Sequence, residues 1–388
     1  MSIYLNNAAT SWPKPKEVAD AMAAFLSHGG ANLARGTSSE RDMETLNVVL
    51  DCRMKVASLL GGYEGADPRY VTFCSNITEA LNVVLWGFVR PGMRVLTSSM
   101  EHNAVMRPLR ALEAGGVEVE LIPSGPDGIM DLEALHDALS SGHWDLAVFS
   151  HASNVCGTIQ PIEDAAEMCR QTYVPVVLDT AQTAGILDLD AGCMGLAALC
   201  FTGHKGLMGP QGIGGIVWQP EFAERVAPFV MGGTGSFSHL ETQPEDLPDR
   251  FESGTPNLPG IVGLHAALSW LEATGIDEID AKEQELGAYL LEKLKGMDVA
   301  LSGRQDMDER LSVFAFNVRG LDNGVLADEL SRSGFETRPG LHCAPSAHRT
   351  LGTFPEGSLR VSLGWYNERS DVDAFIDALG GAVARLRG

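Results

Sequence analysis

The sequence predicts an α/β fold, with a large domain built on a mainly parallel seven-stranded sheet and a smaller α+β C-terminal domain. Short apolar segments of strand type alternate with helical patterns from about residue 15 to 255. This alternation is typical of parallel sheets that are covered by helices on both faces. The chain has 388 residues, of which 45% are hydrophobic, so it is long and apolar enough to form two cores.

Seven apolar segments predict the strands of the large sheet. They are YVTFC at 70–74, RVLTS at 94–98, VEVELI at 117–122, LAVFS at 146–150, VPVVLD at 174–179, LAALCF at 196–201 and GIGGIVW at 212–218. Between them, apolar residues recur every three or four positions, which predicts helices over 78–88, 102–113 and 132–139. Strand, helix, strand repetition at this spacing favours a parallel sheet.

The pattern changes after Pro256. A long helical pattern runs from about 260 to 294, and strands are predicted near 298–302, 312–318 and 358–362 among further helices. The Gly- and Pro-rich stretch before residue 259 is interpreted as a loop that crosses between modules or reaches a neighbouring chain. We therefore expect a large domain at residues 15–258 and a small domain formed by residues 1–14 and 259–388.

Composition and charge exclude several classes of function. The formal net charge of −23 repels phosphate backbones and anionic membranes, so neither nucleic acid nor a membrane is expected as a partner. The first residues, MSIYLNNAATSW, lack the basic and apolar regions of a signal peptide, and no apolar run is long enough to span a membrane. A cytoplasmic protein is therefore expected.

The seven cysteines predict neither a disulfide framework nor a metal site. Their number is odd, they form no CxxC pair, and no histidine stands at zinc-binding spacing from them. Six of them lie among apolar residues, where a buried thiol behaves as a small hydrophobe. Cys343 differs, because Arg338, His342 and His348 are close to it in the sequence.

Four polar residues follow predicted strands closely. They are Thr78, His102, Asn154 and Asp179. Ligands of open α/β sheets bind in the crevice outside the carboxyl ends of the strands. We therefore expect these four side chains to line one site.

Two segments carry groups suited to cofactor chemistry. They are VVLDTAQTAG, with Asp179 and Gln182, and FTGHKGLMGPQGIGG, with Lys205. A carboxylate at the end of a buried strand needs a partner, because burying an unpaired charge costs several kcal/mol. The pyridinium N–H of pyridoxal phosphate (PLP) is such a partner, and small and cationic neighbours would make Lys205 nucleophilic. The alternative is a solvated loop lysine beside a helix-capping aspartate.

A strand ending in Asp-x-x-Gln, followed by Thr-Gly-His-Lys-Gly, resembles the class V branch of PLP-dependent aminotransferase-fold enzymes. Within that branch it is similar to the group of cysteine desulfurases and selenocysteine lyases. The resemblance extends over nearly the whole chain, from YLNNAAT near the start to SLGWYN near the end. It implies the PLP-dependent transferase fold type I, PLP as the cofactor, and conversion of L-cysteine to L-alanine with sulfur transferred to the enzyme as a persulfide.

The resemblance also implies roles around the cofactor. Lys205 would form the Schiff base with PLP, Asp179 would pair with the pyridine nitrogen, and Gln182 would contact the phenolic oxygen of the ring. Thr202 and His204 would bind the phosphate. Five residues of two neighbouring segments are therefore expected around one cofactor.

Four further residues match family positions. Thr78, in SNITEALN, would bind the phosphate from a helix start or act as a plain N-cap, and both roles can hold at once. His102, in MEHNAV, would stack on the ring and take part in proton transfer, unless it is a structural histidine. Asn154, in HASNVCGT, would lie near the substrate carboxylate and the ring oxygen. Thr255, in FESGTPNLPG, would reach the phosphate of the neighbouring subunit, which implies a homodimer; the alternative is an ordinary turn.

The segments ETRPGLHCAPSAH and GSLRVSLGWYN carry the substrate groups that the resemblance implies. Arg360, with Arg338 as a second candidate, would grip the α-carboxylate, which a guanidinium fork suits. Cys343 aligns with the nucleophile that takes the sulfur, and cationic neighbours would favour its thiolate. Without the resemblance, Cys343 fits equally well as a loop cysteine that has no function.

The sequence departs from the family at several places. Ala34, in ANLARGTSS, stands where the family often has a histidine, and Pro339 and the downstream segment SAHRTLGTFPEG also differ. The loop around Cys343 is short, and members with a short loop usually need a partner protein that accepts the persulfide. Two alternatives stay open: another class V PLP enzyme, such as an aminotransferase, a selenocysteine lyase or another C–S lyase, and a catalytically weak sulfur carrier or scaffold.

Overall fold

The structure is a computed structural model that describes residues 2–29, 33, 39–237 and 239–388. Its strands, in chain order, are β1 (Ile3–Tyr4), β2 (Val71–Cys74), β3 (Arg94–Ser98), β4 (Glu118–Ile122), β5 (Leu146–Ser150), β6 (Val176–Asp179), β7 (Ala198–Thr202), β8 (Gly214–Trp218), β9 (Val299–Leu301), β10 (Val313–Val318), β11 (Phe335–Glu336), β12 (Arg338–Gly340) and β13 (Ser358–Ser362). Its helices are α1 (Lys16–His28), α2 (Glu40–Leu59), α3 (Tyr63–Ala66), α4 (Ile77–Phe88), α5 (Asn103–Ala114), α6 (Leu132–Ser141), α7 (Ile162–Gln171), α8 (Pro220–Arg225), α9 (Leu258–Thr274), α10 (Ile276–Leu294), α11 (Asn323–Arg332), α12 (Pro345–Thr350) and α13 (Arg369–Arg387).

The central sheet consists of the seven predicted strands in the order β2–β8–β7–β6–β5–β3–β4. Strands β3 to β7 are parallel to one another, and β8 is antiparallel to both β2 and β7. Strands β5, β7 and β8 are buried along their whole length, which explains why they are nearly continuous apolar runs. The edge strand β4 instead exposes Glu118 and Glu120, charges that discourage pairing with another chain. The mainly parallel α/β sheet is confirmed.

Alternate residues of the central strands fill two separate cores, one on each face of the sheet. Phe149 and Leu178 pack on the face that is covered by α1, α2, α6, α7 and α9. Their neighbours Val148 and Val177 pack on the opposite face, under α4, α5 and α8. Burial of both faces leaves the ends of the strands as the place where polar side chains can gather.

A second sheet, in the order β12–β13–β10–β9, is antiparallel. Its core includes residues of α10, α11 and α13. The short β1 pairs in parallel with β11, so the N-terminal segment contacts the C-terminal part of the chain. Helix α9 buries Ile261 and Leu264 in the core beneath the central sheet. The predicted division into residues 15–258 and the remainder stays a prediction.

The long helical pattern predicted from 260 to 294 is two helices. Gly275 separates α9 from α10, and it has a φ of +86°, a left-handed conformation that ends a helix readily when the residue is glycine. The amide of Gly275 still donates to the Leu271 carbonyl at 2.8 Å and closes the last turn of α9. None of the helices in the described part of the chain combines the length and apolarity that a bilayer crossing needs.

The prediction that six cysteines are buried is correct for four of them and wrong for Cys193. Cys193 is exposed, and Cys74 is half-buried. Cys193 lies in a turn between β6 and β7, where its backbone N–H donates to Asp190 Oδ1 at 2.7 Å, so its side chain is turned away from the core. All seven thiols are free.

The close packing of Gly185 against Gly206, next to Lys205, can be tested by substitution. It has a φ of +84°, and an added Cβ would lie 2.5 Å from the Gly206 carbonyl oxygen. Gly195 has a similar φ of +66°, but the atom nearest to its added Cβ is Arg170 Cδ, at 3.7 Å. We expect Gly185→Ala to lower the free energy of unfolding by more than about 3 kcal/mol, and Gly195→Ala by about 1 kcal/mol, in denaturant titrations. Equal losses would contradict the close approach.

Candidate functional site

The carboxyl ends of the central strands bring most of the predicted site residues together. Asp179 is the last residue of β6, Thr202 is the last residue of β7, and Lys205 follows in the next turn. His102 caps α5 after β3, and Asn154 follows β5. The parallel strand arrangement therefore places these groups at one edge of the sheet.

Asp179 is a buried carboxyl, only 4% exposed. Burial raises its pKa, whereas a hydrogen bond from the Ala181 N–H and the charge of Lys205 lower it. The Ala181 N–H donates to Oδ1 at 2.8 Å, which leaves the second oxygen for another donor. A pyridinium N–H is a donor of the right kind for this position.

Lys205 lies in an environment that disfavours its charge. Burial lowers its pKa to about 8, Asp179 acts in the opposite direction, and Arg360 and Arg338 lower the pKa further. The cations near it are therefore arginines, since burial lowers the pKa of His204 to about 4 and leaves that ring neutral. A lysine with a pKa near 8 has a useful fraction of free amine at neutral pH, as a Schiff-base lysine requires.

Two buried polar atoms next to Lys205 have no hydrogen-bond partner within the described residues. They are Thr202 Oγ1 and His204 Nδ1. Buried polar groups are almost always paired, and unpaired ones cost free energy, so a ligand with oxygen atoms is expected to contact both. The phosphate of PLP fits these two groups.

Thr78 lies close to this pair across the sheet. Thr202 pairs with Gly214 of β8, and an added Cβ on Gly214 would lie 3.0 Å from the Cα of Asn76. Asn76 is the N-cap of α4 and Thr78 lies in the first turn of that helix, so the N-cap alternative for Thr78 itself is not what the structure has. Thr78 is exposed, and the amides of this turn can serve an anion.

His102 is the N-cap of α5 and is mostly buried. Its Nδ1 accepts a hydrogen bond from the Ala104 N–H at 3.0 Å. Burial and then the charge of Lys205 lower its pKa to about 4, so the ring is neutral at physiological pH. Because Nδ1 is an acceptor, the proton of the neutral ring is on Nε2. His102 can therefore cap α5 through Nδ1 and still contact a cofactor through its Nε2–H.

Arg360 is a buried guanidinium, 2% exposed, with no carboxylate in contact among the described residues. Its Nη1 donates to the Asn154 carbonyl at 2.8 Å and its Nη2 to Asn6 Oδ1 at 2.9 Å, while Nε has no partner in the same part of the chain. It stands directly opposite Arg338 in the β12–β13 ladder. Two like charges facing each other are costly unless an anion lies between or beside them, and a substrate carboxylate would serve.

Gln182 and Asn154 are both held by backbone carbonyls. Gln182 Nε2 donates to the Ala8 carbonyl at 3.2 Å, and Asn154 Nδ2 donates to the His342 carbonyl at 2.7 Å. The oxygen of each amide is left for a ligand or a solvent donor. Asn154 therefore links the end of β5 to the loop that carries Cys343.

Cys343 is exposed and lies in a strained loop. Its Sγ is 3.9 Å from Arg338 Nη2, and its carbonyl accepts from the Asn103 N–H at 2.8 Å. Both His342 and Cys343 have positive φ, +49° and +59°. Such conformations cost about 1 to 3 kcal/mol in a residue other than glycine and are concentrated at functional sites.

Of the three residues near Cys343 in the sequence, the two histidines are not its cationic neighbours. Burial lowers the pKa of His342 to about 3 and that of His348 to about 4, so both rings are neutral. They are paired with each other, Nδ1 of His342 with Nε2 of His348 at 3.1 Å, and they support the loop. The cation in contact with Cys343 is Arg338.

Thr255 is exposed and lines a surface groove of about 710 Å³. Among the described residues, the lining of this groove includes Cys74 and Ser75, near the start of α4, but not Lys205 or Thr202. Ala34, which stands where the family often has a histidine, lies outside the described residues.

Glu101 is a buried group that the sequence reasoning missed. It accepts hydrogen bonds from Ser98 Oγ at 2.6 Å, the Ser150 N–H at 3.0 Å and Ser150 Oγ at 2.6 Å. Burial raises its pKa to about 7. It ties the ends of β3 and β5 together directly before His102. The sequence does contain a signal for this residue, since Glu101 is a carboxylate that comes three residues after Ser98, at the end of an apolar strand.

Comparison with known proteins identifies relatives over almost the whole chain. The family model for class-V aminotransferases matches residues 3–375. A protein of Pyrococcus abyssi named a probable cysteine desulfurase is 31% identical, over 99% of this chain and 95% of its own length. A cysteine desulfurase of Salmonella agona is 34% identical, over 97% of this chain and 92% of its own length.

Two solved structures are similar in fold. The apo structure of a cysteine desulfurase from Thermococcus onnurineus has a TM-score of 0.92 and 28% sequence identity, over 99% of this chain and 95% of that one. A cysteine desulfurase from Escherichia coli in an S-sulfonic acid form has a TM-score of 0.87 and 27% identity, with the same coverage. The fold and the chain length therefore agree with both.

The lowered pKa of Lys205 predicts how the reactivity of its amine depends on pH. In the cofactor-free protein, we expect the labelling rate of Lys205 by a small amine-reactive reagent to reach half its maximum near pH 8, because burial favours the free amine. Arg338→Gln removes a charge that lowers the pKa, so the midpoint should move upward. Peptide mass spectrometry over a pH series measures both. A midpoint near the ordinary lysine value of about 10.4 in wild-type protein would contradict this environment.

Proposed function

The chain belongs to the class-V aminotransferase family, and we propose that it is a PLP-dependent cysteine desulfurase that converts L-cysteine to L-alanine and takes the sulfur as a persulfide on Cys343. One observation carries the proposal: an exposed thiol in contact with Arg338, whose charge acts on Lys205. Relatives named cysteine desulfurases, matched over nearly their full length, support the same reaction.

The chain offers one residue for each part of the cofactor. Lys205 would hold PLP covalently, Asp179 would receive the pyridine N–H, and Gln182 would orient the ring through its phenolic oxygen. Thr202 and His204 would donate to the phosphate, which would satisfy two buried polar atoms that have no partner in the part of the chain that the structure describes. When bound, PLP supplies an electron sink for the pair of electrons that the substrate carbon releases.

The substrate carboxylate would bind between the two arginines. Arg360 is already oriented by two hydrogen bonds, so little side-chain entropy is lost when the carboxylate binds. Arg338 would complete the pair from the opposite strand. Asn154, which contacts both Arg360 and the Cys343 loop, would fix the distance between the carboxylate and the sulfur.

Proton transfer would rest on Lys205. Lys205 would act as the base that removes the Cα proton, and its lowered pKa of about 8 keeps free amine available for that role. His102 acts differently. Its Nδ1 is engaged by the α5 backbone, so its Nε2–H is a donor toward the cofactor and does not accept a proton.

The Cys343 thiolate would attack the sulfur of the substrate. The S–S bond forms as the Cβ–S bond breaks, and the carbon keeps the electron pair and is reduced while the sulfur is oxidised. Cβ takes up one proton, which balances the proton lost by the substrate thiol. Cα regains the proton that Lys205 removed, and L-alanine leaves.

Cys343→Ala tests the role of the thiol. We expect alanine and sulfide production from L-cysteine with a reductant to fall by about 100-fold or more, because no other group can accept the sulfur, while PLP absorbance is retained. Cys193→Ala is the matched control, since Cys193 is also exposed and free but lies in a turn elsewhere. It should leave both products unchanged.

The outcomes also separate the alternatives. Undiminished sulfide and alanine in Cys343→Ala would overturn the persulfide step, and keto-acid-dependent amino transfer would favour an aminotransferase. A colourless protein that takes up no added PLP would favour a scaffold or sulfur carrier. Faster turnover of selenocysteine that does not depend on Cys343 would favour a selenocysteine lyase.

We infer a homodimer from an exposed apolar face around Thr255. Large apolar side chains that line the same groove are 44% to 50% exposed in the single chain; they are Met43, Leu46, Leu50, Phe229 and Val230. Contiguous exposed apolar surface of this kind marks an interface. A second copy that covers it would bring Thr255 of one chain toward the exposed start of α4 in the other, where Thr78 lies.

A mixed dimer tests this composite site. Lys205→Ala and Thr255→Ala proteins should each desulfurate cysteine poorly at limiting PLP. If Thr255 serves the partner's site, subunit exchange creates one site with both native residues, so activity in the mixture should rise toward one native site per mixed dimer. No gain in a mixture whose exchange is verified by mass would place Thr255 in the site of its own chain.

The remaining assignments follow from exposure and charge. Cys343 is exposed in a loop that leads directly into α12, so a sulfur-acceptor protein can reach its persulfide. Seven free cysteines are typical of a reducing compartment, and we place the protein in the cytoplasm. The net charge of −23 argues against nucleic acid as a partner.

A further inference from the structure

We propose that Lys14 is a positioning residue for the turn that carries Lys205, and that it acts through the backbone carbonyl of His204. The inference rests on the proposed function only in taking Lys205 as the residue that holds PLP. Lys14 belongs to the segment between β1 and α1, far from Lys205 in the sequence. The contacts of this segment with the turn carry the inference.

Four donor atoms of the N-terminal segment lie within hydrogen-bond distance of the His204 carbonyl oxygen. Thr10 Oγ1 lies at 3.0 Å, the Ser11 backbone N at 3.1 Å, Ser11 Oγ at 3.3 Å and Lys14 Nζ at 2.8 Å. The bond from Lys14 is the shortest of the four and is charge-assisted, so it is the strongest. Lys14 Nζ also donates to Ser11 Oγ at 2.7 Å, and that hydroxyl donates to the Lys205 carbonyl at 2.9 Å. Both carbonyls of the His204–Lys205 pair are therefore held.

Lys14 loses solvation at this position. Burial lowers its pKa to about 8, and no carboxylate among the described residues contacts its ammonium. A partly buried lysine without an acidic partner does not gain stability from an ion pair. Lys16, two residues further, is by contrast exposed and paired with Asp20. We therefore assign the Lys14 charge to the two oxygen atoms that it binds, Ser11 Oγ and the His204 carbonyl oxygen.

The residue whose carbonyl Lys14 binds, His204, also has a ring Nδ1 that is unpaired within the described residues, as is Thr202 Oγ1. A fixed His204–Lys205 backbone would hold the His204 ring and the Lys205 side chain in place at the same time. The same segment touches two other site groups, since Ala8 accepts from Gln182 and Asn6 accepts from Arg360. Lys14 supplies the charged contact of this segment.

The test compares three variants as holoenzymes. Lys14→Met removes the charge at similar length, Lys14→Arg keeps it, and Lys16→Met is the surface control. We expect Lys14→Met to release PLP about tenfold faster than wild-type, because a charge-assisted hydrogen bond behind the cofactor is lost. The visible circular dichroism of bound PLP, which reports its orientation, should weaken. Turnover of cysteine should fall in kcat, with KM unchanged.

Lys14→Arg should restore cofactor release and circular dichroism, and Lys16→Met should match wild-type in both. Wild-type release and circular dichroism in Lys14→Met would overturn the inference. So would a fall in thermal stability of Lys14→Met that leaves these two cofactor signals unchanged, since the role would then be structural. Cofactor release and circular dichroism are read without cysteine, so a protein that holds PLP but does not use cysteine still tests Lys14 and fails only the proposed function.

Discussion

The burial of Asp179 next to Lys205 is the constraint on which the rest of the site depends. A carboxylate at the end of β6 and an amine in the turn after β7 are brought together where partial or full burial disfavours the charge of each. The attraction between the two charges offsets part of the cost of burial. Because burial has the larger effect, the pKa of Lys205 is lowered to about 8. Holding a lysine with a lowered pKa costs the fold stability. Such a lysine is typical of a functional site and not of a structural ion pair.

The site is completed by groups from the second sheet, and these are held by backbone atoms of the first. Arg360 of β13 donates to the carbonyl of Asn154, and Asn154 in turn donates to the carbonyl of His342. The N-terminal segment adds contacts to Arg360 through Asn6. Because most of these anchors are backbone carbonyls, Arg360 and Arg338 have no carboxylate partner among the described residues. Their two charges therefore suit an anionic ligand.

The sequence predicted the large sheet well, because strands that are buried on both faces leave continuous apolar runs, and short runs of this kind between helical patterns are typical of parallel strands. It also placed His102, Asn154 and Asp179 near one edge of the sheet from strand ends alone. It did not predict the split at Gly275, since a glycine within a helical pattern carries no sign of its φ. It also did not predict that His342 is neutral, because the protonation state depends on burial, which only the fold provides.

The short loop around Cys343 limits what the thiol can do alone. Its backbone is fixed at two points, through the Asn103 N–H to the Cys343 carbonyl and through Asn154 to the His342 carbonyl. Helix α12 begins at Pro345, only two residues after the cysteine. A thiol held in this way can meet a sulfur atom presented by a bound substrate, but it cannot swing far to deliver the sulfur elsewhere. If Cys343 takes the sulfur as proposed, an acceptor would have to come to it, and the exposure of the side chain provides the access that such an approach needs.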